Sequence, residues 1–186
     1  MVQLGASGTA FIRYNSRGDR GSLGLILGEV FSEIRVVMGD LRYPDAIQKL
    51  VKGQEIVFHL AALIGIPYSY VHPIDYIQTN VLGTSYLLNA CLAEKIETFV
   101  HTSTSEVYGT TRYVPIDEGH PLQGQSPYSA SKIAADKIAE SFFHSYQLPV
   151  AIIRPFNTYG PRQPARAVIP TIVTQALRNN EVRLGS

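Results

Sequence analysis

The chain has 186 residues, 45% of them hydrophobic and 17% charged, with a formal charge of +1. That is enough apolar chain to bury a core, which excludes a disordered tail, and the near-neutral balance supplies no field to draw nucleic acid or an anionic membrane. A lone cysteine, Cys91, excludes an internal disulfide framework and a multi-cysteine metal site, and no metal site is expected; no stretch nears the ~20 apolar residues of a membrane span. Cys91 lies in an apolar helical stretch and reads as a core residue. Met1 to Ala10 lacks the basic region and apolar run of a signal peptide, so a reducing, cytoplasmic setting is expected.

Short apolar runs alternating with longer helical stretches predict an α/β fold, a Rossmann-like doubly wound parallel sheet forming one domain. Ala10 to Tyr14 reads as a strand and Asn15 to Gly24 as a loop. Glu33 to Met38 reads as a buried strand leaving through Gly39-Asp40-Leu41, and Pro44 opens a short helix to about Lys52, stopped by Gly53. Glu55 to Leu60 is the next strand and runs into Ala61 and Ala62. A long helix follows from about Pro73 to Lys95, then a strand from Thr98 to Thr102 that closes on Ser103-Thr104-Ser105-Glu106. Pro127 opens a helix to about Tyr146, Val150 to Arg154 is a strand stopped by Pro155, and Ala165 to Arg178 is the last helix. His59 and His101 fall within strands and read as core histidines.

In such sheets ligands bind beyond the carboxyl ends of the strands. Asp40, Ala61, Ala62, Thr104 to Glu106 and Pro155 to Asn157 are therefore expected on one edge. Tyr128 and Lys132 stand four apart on a helix and share a face, where an ammonium would favour the phenolate and make the phenol usable as a base. Thr104 could hold the same substrate oxygen. By itself the pair is commonly a surface tyrosine and lysine; its weight comes from Ser-Thr after a strand, followed by Pro-Tyr-x-x-x-Lys opening the next helix.

These stretches resemble the extended short-chain dehydrogenase/reductase family, the nucleotide-sugar epimerases and dehydratases. The resemblance rests on Phe58-His59-Leu60-Ala61-Ala62, Thr79-Asn80-Val81-Leu82-Gly83-Thr84, Ser103 to Gly109, Pro127-Tyr128-Ser129-Ala130-Ser131-Lys132 and Arg154 to Pro161, in order from about Ile34 onward. It implies Thr104, Ser105, Glu106, Tyr128 and Lys132 as catalytic residues, a nucleotide-diphosphosugar substrate, and NAD or NADP as cofactor. The 4,6-dehydratases of the family carry a glutamate at the Glu106 position, where a carboxylate must remove the C5 proton after C4 is oxidised, as the C6 hydroxyl leaves as water; a capping or solvated carboxylate is the plain alternative. Ser105 resembles the GDP-mannose dehydratase pattern. Ala62 to Pro73 and Pro161-Arg162-Gln163 are similar to dehydratases feeding nonulosonic (legionaminic-type) acid synthesis, while Thr-Ser-Glu also fits UDP-glucuronate decarboxylases, and an epimerase stays open.

The same resemblance implies that Asp40 and Leu41 contact adenine, that Ala61 and Ala62 let the backbone approach the cofactor, and that Tyr128, Lys132 and Pro155 line its site. Arg13 either meets an adenosine 2′-phosphate or is an exposed loop-edge arginine. On the substrate side, Asn80 resembles the asparagine that steadies the long helix near the active site, and Asn157 one that contacts the sugar nucleotide. Helices 73–95 and 127–146 resemble those that pair two subunits in a four-helix bundle, so a homodimer is expected. The pattern breaks at the start. Gly5-Ala6-Ser7-Gly8 is followed by Phe11 where the third glycine belongs, and no helix-length segment precedes Asn15. Ala10 to Tyr14 then corresponds to the family's second strand, with the first strand–helix unit missing or replaced: either this strand fills the central slot or another chain covers the gap. Residues from about 157 read as the start of a substrate-binding lobe that is otherwise absent. The rival reading is a catalytically inactive fragment that persists as a folded, dimerising module.

Overall fold

The structure is a computed structural model describing residues 1–26, 28–165, 167–178 and 182–183. It divides into two compact units, Met1–Phe156 and Asn157–Ser186.

In the first unit a 3₁₀ turn, Val2–Leu4, leads into strand β1, Gly8–Arg13. After a loop, a 3₁₀ turn at Gly21–Leu25 and the short helix α1, Gly28–Ser32, comes β2, Ile34–Gly39. Helix α2, Pro44–Val51, begins at a proline, whose fixed φ suits the first turn, and buries Ile47 and Val51. Then follow β3, Ile56–His59, and two helices that begin with proline in the first turn, α3, Ile66–Val71, and α4, Pro73–Tyr76. A π-helical segment, Ile77–Leu82, joins α4 to α5, Gly83–Glu94, so the expected helix 73–95 is continuous but changes its winding. β4, Thr98–Thr102, precedes a 3₁₀ turn, Ser105–Tyr108; α6, Pro127–Tyr146, and β5, Val150–Ile153, complete the unit.

All pairings are parallel. β1 pairs with β2 from Gly8↔Ile34 to Arg13↔Gly39, and β4 lies between β3 and β5, with Phe99 opposite Val57 and Val150. The five strands form two sheets, β1-β2 and β3-β4-β5. β1 therefore does not fill the central slot, because among the described residues it bonds only to β2 while β3 bonds only to β4. One hydrophobic cluster nevertheless serves both sheets. Leu41, Ile47, Val51, Leu87, Leu88, Cys91, Phe99 and Phe142 are buried together, with Phe11 of β1 packed against them. Since residues paired in a parallel ladder point to the same side, Val57, His59, Phe99, His101, Val150 and Ile152 form the face turned to this core. Ile56, Phe58 and Ile153 on the reverse face are 45%, 48% and 46% exposed.

The second unit contains α7, Val168–Arg178, where Ala165 was the expected start; Arg166 lies outside the described residues. Within it the Thr171 hydroxyl donates to the Ala165 carbonyl at 2.9 Å, and the Gln175 side chain accepts the Arg183 N–H at 2.8 Å. No helix among the described residues is long and apolar enough to cross a membrane.

Candidate active site

Three chain segments converge at the carboxyl end of β4. The strand ends at Thr102, and the next residues turn at once because Thr104 caps the 3₁₀ turn, its hydroxyl accepting the Glu106 N–H at 3.3 Å. The Ser105 N–H donates to the Pro155 carbonyl at 3.1 Å, tying this turn to the exit of β5. With Thr104 as the cap, the Glu106 carboxylate is not used for capping and stands exposed. The turn ends at Gly109, whose φ of +62° and ψ of −137° are open to glycine and strained for other residues; a Cβ there would lie 2.6 Å from the Gln123 carbonyl oxygen. Gln123 in turn donates its N–H to the Val107 carbonyl at 2.8 Å, which folds the 110–125 segment back onto the turn.

Helix α6 starts in a capping box. The Ser126 hydroxyl accepts the Ser129 N–H at 3.0 Å, while the Ser129 hydroxyl accepts the Ser126 N–H at 2.9 Å. That fixes the first turn and, with it, Tyr128. The Tyr76 ring meets the Tyr128 ring edge-on with centroids 6.2 Å apart, and the Tyr76 hydroxyl donates to the Gly65 carbonyl at 2.6 Å. One turn further, Lys132 is 3% exposed and its ammonium donates to the Thr102 carbonyl at 2.8 Å.

The electrostatics differ from the sequence expectation. Lys132 does not lower the Tyr128 pKa here: burial raises it, Thr104 opposes that by favouring the phenolate, and the Glu106 carboxylate adds to the rise. The leading cause is burial of the ring, while the Lys132 ammonium donates to a backbone carbonyl of β4. Burial pulls the Lys132 pKa down to about 8 while Asp136 pushes it back up. Burial also lowers His59 and His101, keeping both rings neutral at pH 7, in line with core histidines.

Asn80 sits in the π-helical segment and is 1% exposed. Its side-chain oxygen accepts the Leu63 N–H at 2.8 Å, and its amide nitrogen donates to the Leu63 carbonyl at 3.0 Å and the Ser131 hydroxyl at 2.9 Å. It thus ties the loop after β3 to α6, one residue from Lys132, as a residue that steadies the long helix would. Thr84 donates to the Asn80 carbonyl at 2.6 Å and lies 2.8 Å from His59 Nε2, extending the same network to β3.

At the carboxyl ends of β1, β2 and β3 a cavity of about 370 Å³ is lined by residues that include Arg13, Asp40, Leu41, Ala61, Ala62 and Tyr68. Arg42 grips Asp40 through Nε and Nη2, one edge of its guanidinium, at 2.7 Å for the closest pair, and this bond leads the causes that hold the carboxyl below its ordinary range. Leu41 is 5% exposed and belongs as much to the core as to the cavity. The structure therefore gathers Arg13, Asp40, Leu41, Ala61 and Ala62 in one place, and Thr104, Ser105, Glu106, Tyr128, Lys132 and Pro155 around the end of β4. Asn157 is the first residue of the second unit. Gly5 to Gly8 lie at the amino end of β1, on the edge opposite the cavity, and lead into a strand where a phosphate-binding loop would lead into a helix.

Sequence reasoning passed over Asp136, Arg154 and Tyr108. The Asp136 carboxylate lies 3.0 Å from Arg154 Nε and 3.3 Å from His101 Nε2, and Arg154 also donates to the Tyr108 hydroxyl at 3.3 Å. The signal was available: Asp136 is four residues beyond Lys132, on the face already marked by Tyr128.

The family model described as GDP-mannose 4,6 dehydratase matches residues 1–185. A dTDP-glucose 4,6-dehydratase of Streptomyces antibioticus is 37% identical over 161 residues, which cover 86% of this chain and 48% of that protein. The crystal structure of the Streptomyces venezuelae dTDP-glucose 4,6-dehydratase DesIV, with NAD bound, superposes with a TM-score of 0.74 at 35% identity, covering 78% of this chain and 45% of the other. A UDP-N-acetylglucosamine 4-epimerase of Methanobrevibacter ruminantium M1 is similar at a TM-score of 0.81 and 31% identity, covering 90% and 55%. The chain spans about half the length of the curated relatives it matches.

Proposed function

The chain belongs to the GDP-mannose 4,6 dehydratase family of NAD-dependent epimerases and dehydratases, and from that membership we propose that it carries the reacting centre of a nucleotide-sugar 4,6-dehydratase. The observation that carries the reading is the Glu106 carboxylate, exposed and released from capping by Thr104, on the turn beside Tyr128. An epimerase has no use for a third proton-transfer group there; removing a proton from C5 of a 4-keto sugar requires one.

In this reading Tyr128 takes the proton of the C4 hydroxyl, with Thr104 holding the same oxygen. Lys132 anchors the helix face through Thr102 and supplies the positive charge nearby. Glu106 then removes the C5 proton and, as the acid so formed, passes it to the departing C6 hydroxyl, which leaves as water, Ser105 lying next to it on the same turn. NAD or NADP, when bound, would supply the hydride acceptor at C4 and the hydride donor at C6, and the proton that Tyr128 took from the C4 hydroxyl balances the one that C5 recovers. The residues fit the adenosine end of that cofactor, since Arg13 and Asp40 flank a cavity floored by Ala61 and Ala62. Pro155, just beyond β5, we assign to the same cofactor. The second unit we assign to the start of the substrate-binding lobe, with Asn157 toward the sugar nucleotide. We further assign a cytoplasmic setting and a homodimer through helices 73–95 and 127–146, whose outer residues Ile77, Leu82, Phe143 and Tyr146 are 41–56% exposed.

The test has two stages. Calorimetric titration with NAD⁺ and NADP⁺ is expected to give micromolar binding and to choose between them. Incubation of the loaded protein with dTDP-glucose, GDP-mannose or UDP-N-acetylglucosamine is expected to yield a product lighter by one water, lost in Glu106→Gln. Carbon dioxide release from UDP-glucuronate in place of dehydration would move the reading to a decarboxylase, and inversion without loss of mass to an epimerase. A second reading, an inactive dimerising module, is favoured by the placement of Gly5 to Gly8 away from the cavity; a dimer in sedimentation that binds neither nucleotide would establish it.

A further inference from the structure

Beneath the reacting residues lies a buried charge cluster that the proposed chemistry does not use. Tyr128, Lys132 and Asp136 occupy successive turns of α6 on one face, with neighbouring Cβ atoms about 5–6 Å apart. Asp136 is fully buried, at 0% exposure. A carboxylate in that position is costly unless its charge is answered, and here the answering charge is the Arg154 guanidinium. Arg154, at the end of β5, places Nε 3.0 Å from one carboxylate oxygen, while the other oxygen lies 3.3 Å from His101 Nε2 on β4. The His101 ring is close enough for attraction but falls short of hydrogen-bond alignment, and the Ser103 hydroxyl adds to the forces favouring the charged carboxylate. Arg154 is itself fixed over the Tyr108 ring, 5.4 Å from its centroid, and bonded to its hydroxyl. The carboxylate thus welds α6 to β4, β5 and the turn that carries Glu106.

We propose that Asp136 is a positioning residue of the reacting centre: its clamped carboxylate is the counter-charge to the Lys132 ammonium and holds it beneath Tyr128. The groups around Lys132 narrow the choice. From β3 it faces His59 and from β4 His101, both held neutral by burial. The Thr102 carbonyl takes one of its protons. Arg154, just beyond β5, is the cation bonded to the Asp136 carboxylate, Glu106 and Tyr108 lie on the 3₁₀ turn, and Tyr128 is on its own helix. Asp136 is the charged neighbour that favours the Lys132 ammonium against burial. With two cations and one carboxylate, Arg154 and Lys132 share a single counter-ion, so removing either partner of Asp136 must act on the other.

That sharing gives a test in which a general packing role and a charge role part company. It rests on the dehydratase reading only in treating Lys132 as part of the reacting centre, and it needs no turnover, so an inactive chain answers it equally well. The side-chain resonances of Lys132 are followed against pH in the whole chain labelled with ¹³C and ¹⁵N at lysine, with Lys132→Arg providing the assignment. In Asp136→Asn the midpoint is expected to fall by about one pH unit, a tenfold weaker hold on the proton. In Arg154→Gln it is expected to rise, because the carboxylate is then Lys132's alone. Opposite displacements support the proposal. Displacement of both variants in the same direction, as from a loosened cluster, or no displacement in either, overturns it. If Asp136→Asn does not fold, Arg154→Gln decides alone, with a rise supporting the proposal and an unchanged or lower midpoint overturning it.

Discussion

Substituting Gly109 by alanine isolates the turn that presents Glu106. At φ +62° and ψ −137°, a residue with a Cβ carries backbone strain of about 1–3 kcal/mol. The new methyl would also sit 2.6 Å from the Gln123 carbonyl oxygen. It could be relieved only by moving a backbone segment whose N–H is bonded to Val107 at 2.8 Å. Overpacking of this kind adds about 1–3 kcal/mol, so Gly109→Ala is expected to destabilise the first unit by about 3 kcal/mol. In a chain of this length that corresponds to a Tm lower by about 10 °C. Gly53 is the control: it has φ +72° but nothing within 4 Å of a built Cβ, leaving only the left-handed penalty of about 1–2 kcal/mol. Thermal unfolding followed by circular dichroism should therefore separate the two variants by several degrees. A Gly109→Ala protein melting within 2 °C of Gly53→Ala would refute the close approach of Gln123 to this turn, and with it the account of how Glu106 is held.

Lys132 provides a pH signature. Its pKa in the fold is about 8 against an ordinary 10.5, so between these values the unfolded chain binds more protons and stability must rise with pH. Below about pH 8 both states hold the proton and the burial penalty is paid in full; relative to Lys132→Met, the native chain should gain about 3 kcal/mol from pH 7.5 to 10.5 in urea unfolding. A parallel pair of stability curves would show that the amine is not desolvated. Asn80→Ala strands the Leu63 N–H and carbonyl in a half-buried setting, and should cost about 2 kcal/mol and speed amide exchange at Leu63; unchanged exchange there would contradict the bridging role. Cys91, 0% exposed with its thiol pushed up to about 12, should react with a thiol reagent only in denaturant, and rapid labelling of the native chain would contradict the core assignment.

What was legible in the sequence follows from where local signals were strong. β4 and α6 match the expected bounds at Thr98–Thr102 and Pro127–Tyr146 because an apolar run, a serine cap and a first-turn proline agree with one another. Thr104, Ser105, Glu106, Tyr128 and Lys132 could be placed together because strand-end polar residues and helix-start residues of a parallel sheet share an edge. α3 was not foreseen; six residues with proline in the first turn and two tyrosines carry too little periodicity to announce a helix. The direction of the Tyr128 shift was also out of reach, since it depends first on the burial of the ring, which spacing alone cannot give. Asp136 illustrates the same limit: a carboxylate on a helix is usually solvated, and only the arrival of Arg154 and His101 from two strands makes it a buried hub. The separation of β1-β2 from β3-β4-β5 was half legible, through Phe11 standing where a glycine belongs.

The π-helical segment Ile77–Leu82 has a consequence in counting. A π turn accommodates one residue more than the α turn it replaces, and one residue on an α-helix is about 100° of rotation. Tyr76 before the segment and Leu88 and Cys91 after it are all fully buried or nearly so, so the chain is packed against neighbours on both sides of the segment. Deleting a single residue between Ile77 and Leu82 would restore regular winding and swing α4 a quarter-turn and more about the axis of α5. Tyr76 would leave the ring of Tyr128, and Asn80 would lose either Leu63 or Ser131. The helix thus behaves as a phased shaft, in which one surplus residue sets the angle at which everything before it meets the reacting edge.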